Sequence, residues 1–201
     1  MKALIFLGAL SAVAASAQSI SVGVLGGAPF TDVVKATNQN NLAFVSKSTN
    51  FTAGPSFQLN LPLSLRLEVD ALYRPYSFTA RSTVAASLAT SIAPINVSGA
   101  QWTFPFLVQY RFKLPAVKPF IEGGVSFDHL SNVSSAAKNI TSGAGKLVHQ
   151  SHAGVVLGGG VDVKIPFCRL SGELRYTHQG SADFQAISNL NQAEVLVGVH
   201  F

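Results

Sequence analysis

Between residues 101 and 112 the chain places Trp102, Phe104, Phe106, Val108, Tyr110 and Phe112 on every second position, interleaved with Gln101, Thr103, Pro105, Leu107, Gln109 and Arg111. Successive side chains of a strand point to opposite faces, so this segment is a ribbon with a ladder of rings on one side and a mainly polar other side. The same period governs most of the chain. Leu65, Leu67, Val69, Ala71 and Tyr73 oppose Arg66, Glu68, Asp70, Leu72 and Arg74. Ile121, Val125 and Phe127 oppose Glu122, Ser126 and Asp128, and Leu170, Leu174 and Tyr176 oppose Ser171, Glu173 and Arg175. The chain closes with Ala193, Val195, Val197, Val199 and Phe201 against Glu194, Leu196, Gly198 and His200. Weaker strands are expected over residues 19–25, 51–61 and 151–163. From Phe51 onward no stretch follows the 3.6-residue helical period over a comparable length, and the total of eight strands is the even number that bacterial barrels use.

The connections alternate in length. Residues 62–64, 113–117 and 164–167 read as tight turns, whereas 31–50, 77–99, 129–150 and 179–191 are long and rich in Ser, Thr, Asn and Ala. Several long structureless connections are uncommon in compact soluble domains, but they are usual on the outer face of outer-membrane barrels, whose periplasmic turns are short. Four loops on one side and both mature termini on the periplasmic side follow from this alternation.

At the N-terminus Lys2 precedes an apolar run from Ala3 to about Ala15, and Ala15, Ser16 and Ala17 form a small-x-small cleavage pattern before Gln18. Residues 1–17 are therefore expected to be a signal peptide, and 18–201 a single barrel domain. The run is shorter than the roughly 20 residues that span hydrocarbon, and no later stretch is long enough either. A membrane location then demands a closed barrel, because lipid satisfies no open strand edge. Composition favours a membrane: 48% of residues are hydrophobic and only 11% charged, against about 25% charged in ordinary soluble domains. Cys168 is the single cysteine, which excludes an intramolecular disulfide framework.

Alternation alone does not say which face meets lipid, and a soluble lipocalin-like ligand carrier would alternate too. The placement of charge decides. Lys35, Lys47, Lys113, Lys118, Lys138, Lys146 and Lys164 all fall in or beside connections, while the polar strand faces carry Arg66, Arg74, Arg111 and Arg175 with Glu68, Asp70, Glu122, Asp128, Asp162, Glu173 and Glu194. Arginine with carboxylates suits pairing where water is scarce. These eleven residues are expected inside, as a structural plug in a barrel only wide enough for its own side chains. Tyr73, Trp102, Phe104, Phe106, Tyr110, Phe112 and Tyr176 are expected in lipid, with the tyrosines and Trp102 near the interfacial girdles.

The ending Glu194-Val-Leu-Val-Gly-Val-His-Phe201, with Val197, Val199 and Phe201 on one face, is similar to the C-terminal signal that delivers outer-membrane proteins to their insertion machinery. With the leader and the strand plan, the whole mature chain resembles the OmpA/OmpX-like outer-membrane β-barrel domain family. It departs from OmpA-type members in carrying no cell-wall-binding domain after the barrel. The resemblance implies an all-β, eight-stranded antiparallel up-and-down transmembrane barrel in the outer membrane. Its partners would be outer-membrane lipid, lipopolysaccharide and the insertion machinery, and its role non-enzymatic.

The enzymatic alternative is a lipid A 3-O-deacylase of the PagL type, which the segment Tyr176-Thr-His178-Gln-Gly-Ser181, followed by Glu194, resembles. That chemistry needs His178 within reach of Ser181 and oriented by Glu194. A spacing of three puts His178 and Ser181 on opposite faces of a regular strand, and only a bulge at Gly180 would restore the geometry. His129, His149, His152, His178 and His200 show no ligand spacing, so no metal or cofactor is expected. Gly158, Gly159 and Gly160 lack the following helix and lysine of a phosphate loop, and glycine here marks bending or close packing. Although the net charge is +5, the basic residues form no patch with stacking aromatics, which argues against nucleic acid. Lys35, Lys47, Arg81, Lys138 and Lys146 outnumber Asp32 and Asp183 in the long connections, a balance suited to lipopolysaccharide phosphates or an anionic surface ligand.

Overall fold

The structure is a computed structural model that describes residues 20–32, 37–39, 42–46, 51–82, 95–115, 117–131, 151–181 and 189–201. The expected signal peptide lies outside them. The elements are β1 (Ile20–Pro29), β2 (Thr37–Gln39), β3 (Leu42–Ser46), β4 (Thr52–Asn60), β5 (Leu65–Asp70) and β6 (Leu72–Ser82). They continue as β7 (Ile95–Arg111), β8 (Val117–Ser131), β9 (Ser151–Lys164), β10 (Arg169–Gln179) and β11 (Asn191–His200). Every pairing is antiparallel, and β1 pairs with both β11 and β4, so the sheet closes on itself. β5 and β6 are one staves' length of chain interrupted at Ala71, and both pair with β7. Eight barrel strands result, as the alternation predicts, and β2 with β3 forms an additional hairpin on the edge of β6.

Two expected connections are therefore shorter or more ordered than the sequence suggests. The segment 77–99 is strand as far as Ser82 and again from Ile95, with Ser77 opposite Ser98 and Ala80 opposite Ile95. The segment 31–50 contains the β2–β3 hairpin, whose β3 extends the wall along β6 through Leu42 opposite Ser82. Beyond an apolar belt both faces of a strand meet water, so the apolar-to-polar contrast vanishes while the backbone ladder continues.

The three tight turns fall where expected. Leu63 and Ser64 both adopt positive φ, 62° and 66°, the pairing that a two-residue type I′ hairpin requires. The Leu65 amide donates to the Pro62 carbonyl at 3.3 Å. At the β9–β10 turn the Ile165 amide donates to the Cys168 carbonyl at 3.0 Å.

Register fixes the barrel's shape. Ile20 is opposite Leu59, then Leu67, Val108, Gly123, Leu157, Tyr176 and Ala193 follow around the wall. The Phe30 amide donates to the Ala193 carbonyl at 2.7 Å, so the circuit returns ten residues beyond Ile20. A shear of ten over eight strands gives a strand tilt of about 41° and a backbone radius of about 8 Å. That radius leaves room for interdigitated side chains and little else. Burial follows the pleat: Arg66, Glu68 and Asp70 are buried while Leu67 is exposed, and Gln109, Leu107 and Pro105 are buried while Phe104, Phe106, Val108 and Tyr110 are exposed.

Candidate functional site: the barrel lumen and its outer belt

The strand pleat aims side chains from every barrel strand at one axis, where they settle into layers. In the middle layer Arg175, 1% exposed, is the hub. Its Nη1 donates to Asp70 Oδ2 at 2.9 Å and its Nε to Glu122 Oε1 at 3.1 Å, while Nη2 serves Glu68 Oε1 at 2.9 Å and Glu173 Oε2 at 2.8 Å. One guanidinium thus faces four carboxylates. Oxygens of Glu68, Glu122 and Glu173 lie within 4.8 Å of one another, and each of these residues accepts from Arg175. Gln109 Nε2 bridges Glu68 Oε2 and Glu122 Oε2 at 2.9 and 2.8 Å, and Gln58 Nε2 reaches Glu68 Oε2 at 2.5 Å. These amides satisfy the second oxygens of Glu68 and Glu122, as a buried ion cluster demands, while Asp70 Oδ1 and Glu173 Oε1 are buried without a partner.

Toward the end carrying the short turns, Asp162 pairs with Arg66, and Arg169 Nε lies 3.7 Å from the same carboxylate. Arg66 also donates to Gln109 Oε1 at 2.9 Å, and Arg169 donates to Gln58 Oε1. Toward the end carrying the long connections, Arg74 donates to Glu194 Oε2 and Gln192 Oε1, both at 2.8 Å, and to Thr52 Oγ1 at 3.1 Å. Asp128 accepts from Gln101 at 3.1 Å, Thr103 at 2.5 Å and Ser126 at 3.0 Å, with His152 Nε2 at 3.7 Å. An apolar cluster of Leu25, Leu72 and Leu196 packs inside the barrel among these polar groups.

All eleven residues proposed from sequence for the interior network thus lie on inward strand positions, ten of them buried and Arg111 half-buried at the turn end. The structure adds Arg169, His152, His200, Gln58, Gln101, Gln109 and Gln192. Gln109 and Gln192 sit two residues from a network member on the same strand, next to Arg111 and Glu194, a signal the sequence carries. Gly158 and Gly160 make room for it: a Cβ on Gly158 would approach Glu122 Oε1 to 2.5 Å, and one on Gly160 would approach the Phe120 ring to 2.7 Å.

The outward face is aromatic and aliphatic. Tyr73 meets Trp102 edge-on with centroids 5.2 Å apart, Trp102 stacks on Phe104 at 6.3 Å, Phe106 meets Phe127 at 5.9 Å and Tyr110 meets Phe112 at 5.2 Å. Tyr176 is exposed as well. With the tilt derived above, Tyr110 and Phe112 lie near one rim and Tyr73, Trp102 and Tyr176 near the other, bounding a belt about 25 Å tall. Val197 and Phe201 are exposed on this face.

His178, Ser181 and Glu194 are not brought together. β10 pairs with β9 without interruption from Arg169 to Gln179, so there is no bulge to reset the faces. His178 points outward, its Nδ1 2.8 Å from Asn191 Oδ1, while Glu194 points inward to Arg74. Of the basic residues in the long connections, Lys35, Lys47, Lys138 and Lys146 lie outside the described residues, as does Asp183, and Arg81 sits near the far end of β6.

A closed, tilted barrel of eight strands with an ion-paired interior and a belt of exposed rings is an integral membrane β-barrel. The family model of the outer membrane protein beta-barrel domain matches residues 16–180, and the chain belongs to that family. Among solved structures it is similar to Neisserial surface protein A, with a TM-score of 0.53 and 15% identity over 92% of this chain and 98% of that one. It is also similar to the outer membrane protein OprG from Pseudomonas aeruginosa, with a TM-score of 0.51 and 14% identity over 90% of this chain and 94% of that one. No curated protein sequence matches it. The chain is an outer-membrane barrel.

Proposed function

We propose that the protein is a non-conducting, non-enzymatic barrel that acts through the end bearing its long connections. In this reading residues 1–17 are removed on export, both mature termini face the periplasm, and Val197, Val199 and Phe201 present the last strand to the insertion machinery. The observation that carries it is the filled lumen: Arg175 with its four carboxylates spans the centre, and Leu25, Leu72 and Leu196 pack in the same interior. A solute entering one mouth would have to break a buried ion cluster, which costs several kcal/mol. The surface of the loop end is free to act, where the β2–β3 hairpin lengthens the wall beside β6. That raised edge, with the basic connections, suits lipopolysaccharide or a surface ligand. Three measurements test this: purified barrel in planar bilayers should give no steady conductance, externally added protease should cut the long connections in intact cells while leaving the turns uncut, and lipid A should carry the same acyl chains with and without the gene. Steady channels, turn-side cleavage, or a fatty acyl chain missing from lipid A only in cells carrying the gene would each overturn it.

A further inference from the structure

The barrel end with the short turns holds a cavity of about 500 Å³. Its charged lining is Arg111, Lys118, Lys164 and Arg169 against the single carboxylate of Asp162. That carboxylate is already engaged from deeper in the lumen by Arg66 and approached by Arg169. The Arg111 guanidinium makes no hydrogen bond or ion pair with the described residues, and its Nε is buried without a partner. Four cations around one shared carboxylate leave three positive charges uncompensated, and a carboxylate at the end of Phe201, which also lines the cavity, would still leave two.

The middle of the lumen has the opposite balance, with four carboxylates on Arg175. The chain therefore separates charge along the barrel axis rather than neutralising it locally. Arginines from β7 and β10 and lysines from β8 and β9 approach the cavity from four strands, so their N–H groups converge from several directions. Guanidinium forks match phosphate oxygens in pairs, and ammonium groups add unoriented charge. A monocarboxylate would leave most of this charge unmet.

We infer that this mouth is a binding site for a phosphate-bearing anion, either the headgroup phosphate of a lipid or a small soluble phosphate compound. Its volume is within the usual range for a small-molecule site. Exposed Phe167 and Phe201 on its rim place the cavity beside apolar surface, so a lipid headgroup enters from the side and a soluble compound from below. The site stands whichever compartment that end faces, so it does not depend on the orientation proposed above.

The test uses the full chain in neutral detergent with inorganic pyrophosphate as the soluble probe, followed by calorimetry, and nanodiscs of zwitterionic lipid with or without phosphatidic acid, followed by native mass spectrometry. Two variants are compared, Arg111→Gln and the rim double variant K118Q/K164Q. Because both lysines are exposed, the double variant keeps the test alive if Arg111→Gln does not fold. Wild type should bind at least one probe, and each folded variant should weaken that binding fivefold or more. Pyrophosphate binding without phosphatidic acid retention assigns a soluble ligand, phosphatidic acid retention without pyrophosphate binding assigns a headgroup, and competition between the two shows that both occupy the one site. Failure of both probes on wild type, or binding unchanged in the folded variants, overturns the site.

Discussion

Gly158 stands directly opposite Arg175 across the β9–β10 ladder, and the side chain it lacks is the space that the Glu122 carboxylate fills. Glu122 is its partner on the other side, across β8–β9. The central cluster is thus specified as much by an absent methyl group as by its charges.

Gly158→Ala should displace Glu122 from Arg175 and destabilise the barrel by about 1–3 kcal/mol, the usual range for overpacking a filled interior. Gly123→Ala is the control, because its Cβ would meet Leu157 Cδ2 at an ordinary 3.5 Å. Urea unfolding in lipid vesicles, read by the gel shift between folded and heated forms, compares the two. Equal losses would show that glycine flexibility, not the Glu122 contact, matters at residue 158.

Arg175→Met removes the one cation that Glu68, Asp70, Glu122 and Glu173 share. Stranding buried carboxylates costs about 3–5 kcal/mol. Combining it with Glu68→Gln and Glu122→Gln should recover a large part of that loss, since neutral amides of the same shape need no counter-charge. A triple variant no more stable than Arg175→Met alone would mean that packing volume dominates the hub.

The architecture was legible because lipid and lumen impose opposite demands on alternate residues, so Trp102 to Phe112 and Arg66 to Arg74 announce their faces directly. His178 and Ser181 were separable by the same parity, and β10 runs without a bulge to agree with it. Legibility ended where the contrast does. Ser77, Ser98 and Asn96 belong to strands that rise past the belt, where both faces are wet and alternation carries no information. The β2–β3 hairpin escaped notice for the same reason. Arg169 is less legible because it opens β10 next to a turn, where a charged residue looks solvent-bound, although the alternate residues that follow it, Ser171, Glu173 and Arg175, all point inward. The charge asymmetry between the centre and the turn end depends on which strand ends meet, a matter of shear rather than of any local motif.

Leu63 and Ser64 hold positive φ without being glycine or asparagine. Such conformations cost of order 1 kcal/mol each for residues carrying a Cβ. Leu63→Asn with Ser64→Gly should therefore stabilise the hairpin by about 1 kcal/mol, and because Leu63 is 82% exposed no packing is lost in exchange. The gain should appear as slower unfolding of the β4–β5 unit in hydrogen exchange. Destabilisation would indicate that Leu63 anchors the turn in the interface.

Phe106 and Tyr110 share one face of β7 and each makes one edge-on ring contact, with Phe127 at 5.9 Å and Phe112 at 5.2 Å. They differ in depth: Phe106 lies near the middle of the outward belt and Tyr110 near its turn-side rim. An arginine facing hydrocarbon at the midplane costs about 2–4 kcal/mol, falling to about 0–1 kcal/mol near the interface. Since each substitution forfeits a similar ring contact, Phe106→Arg should exceed Tyr110→Arg by about 2 kcal/mol in vesicle refolding titrations. In thinner bilayers the gap should narrow, because the guanidinium at residue 106 then reaches the headgroups with less bending of the chain. A depth-independent penalty would mean that the rings face something other than acyl chains, and the belt would need a protein partner instead of lipid to cover it.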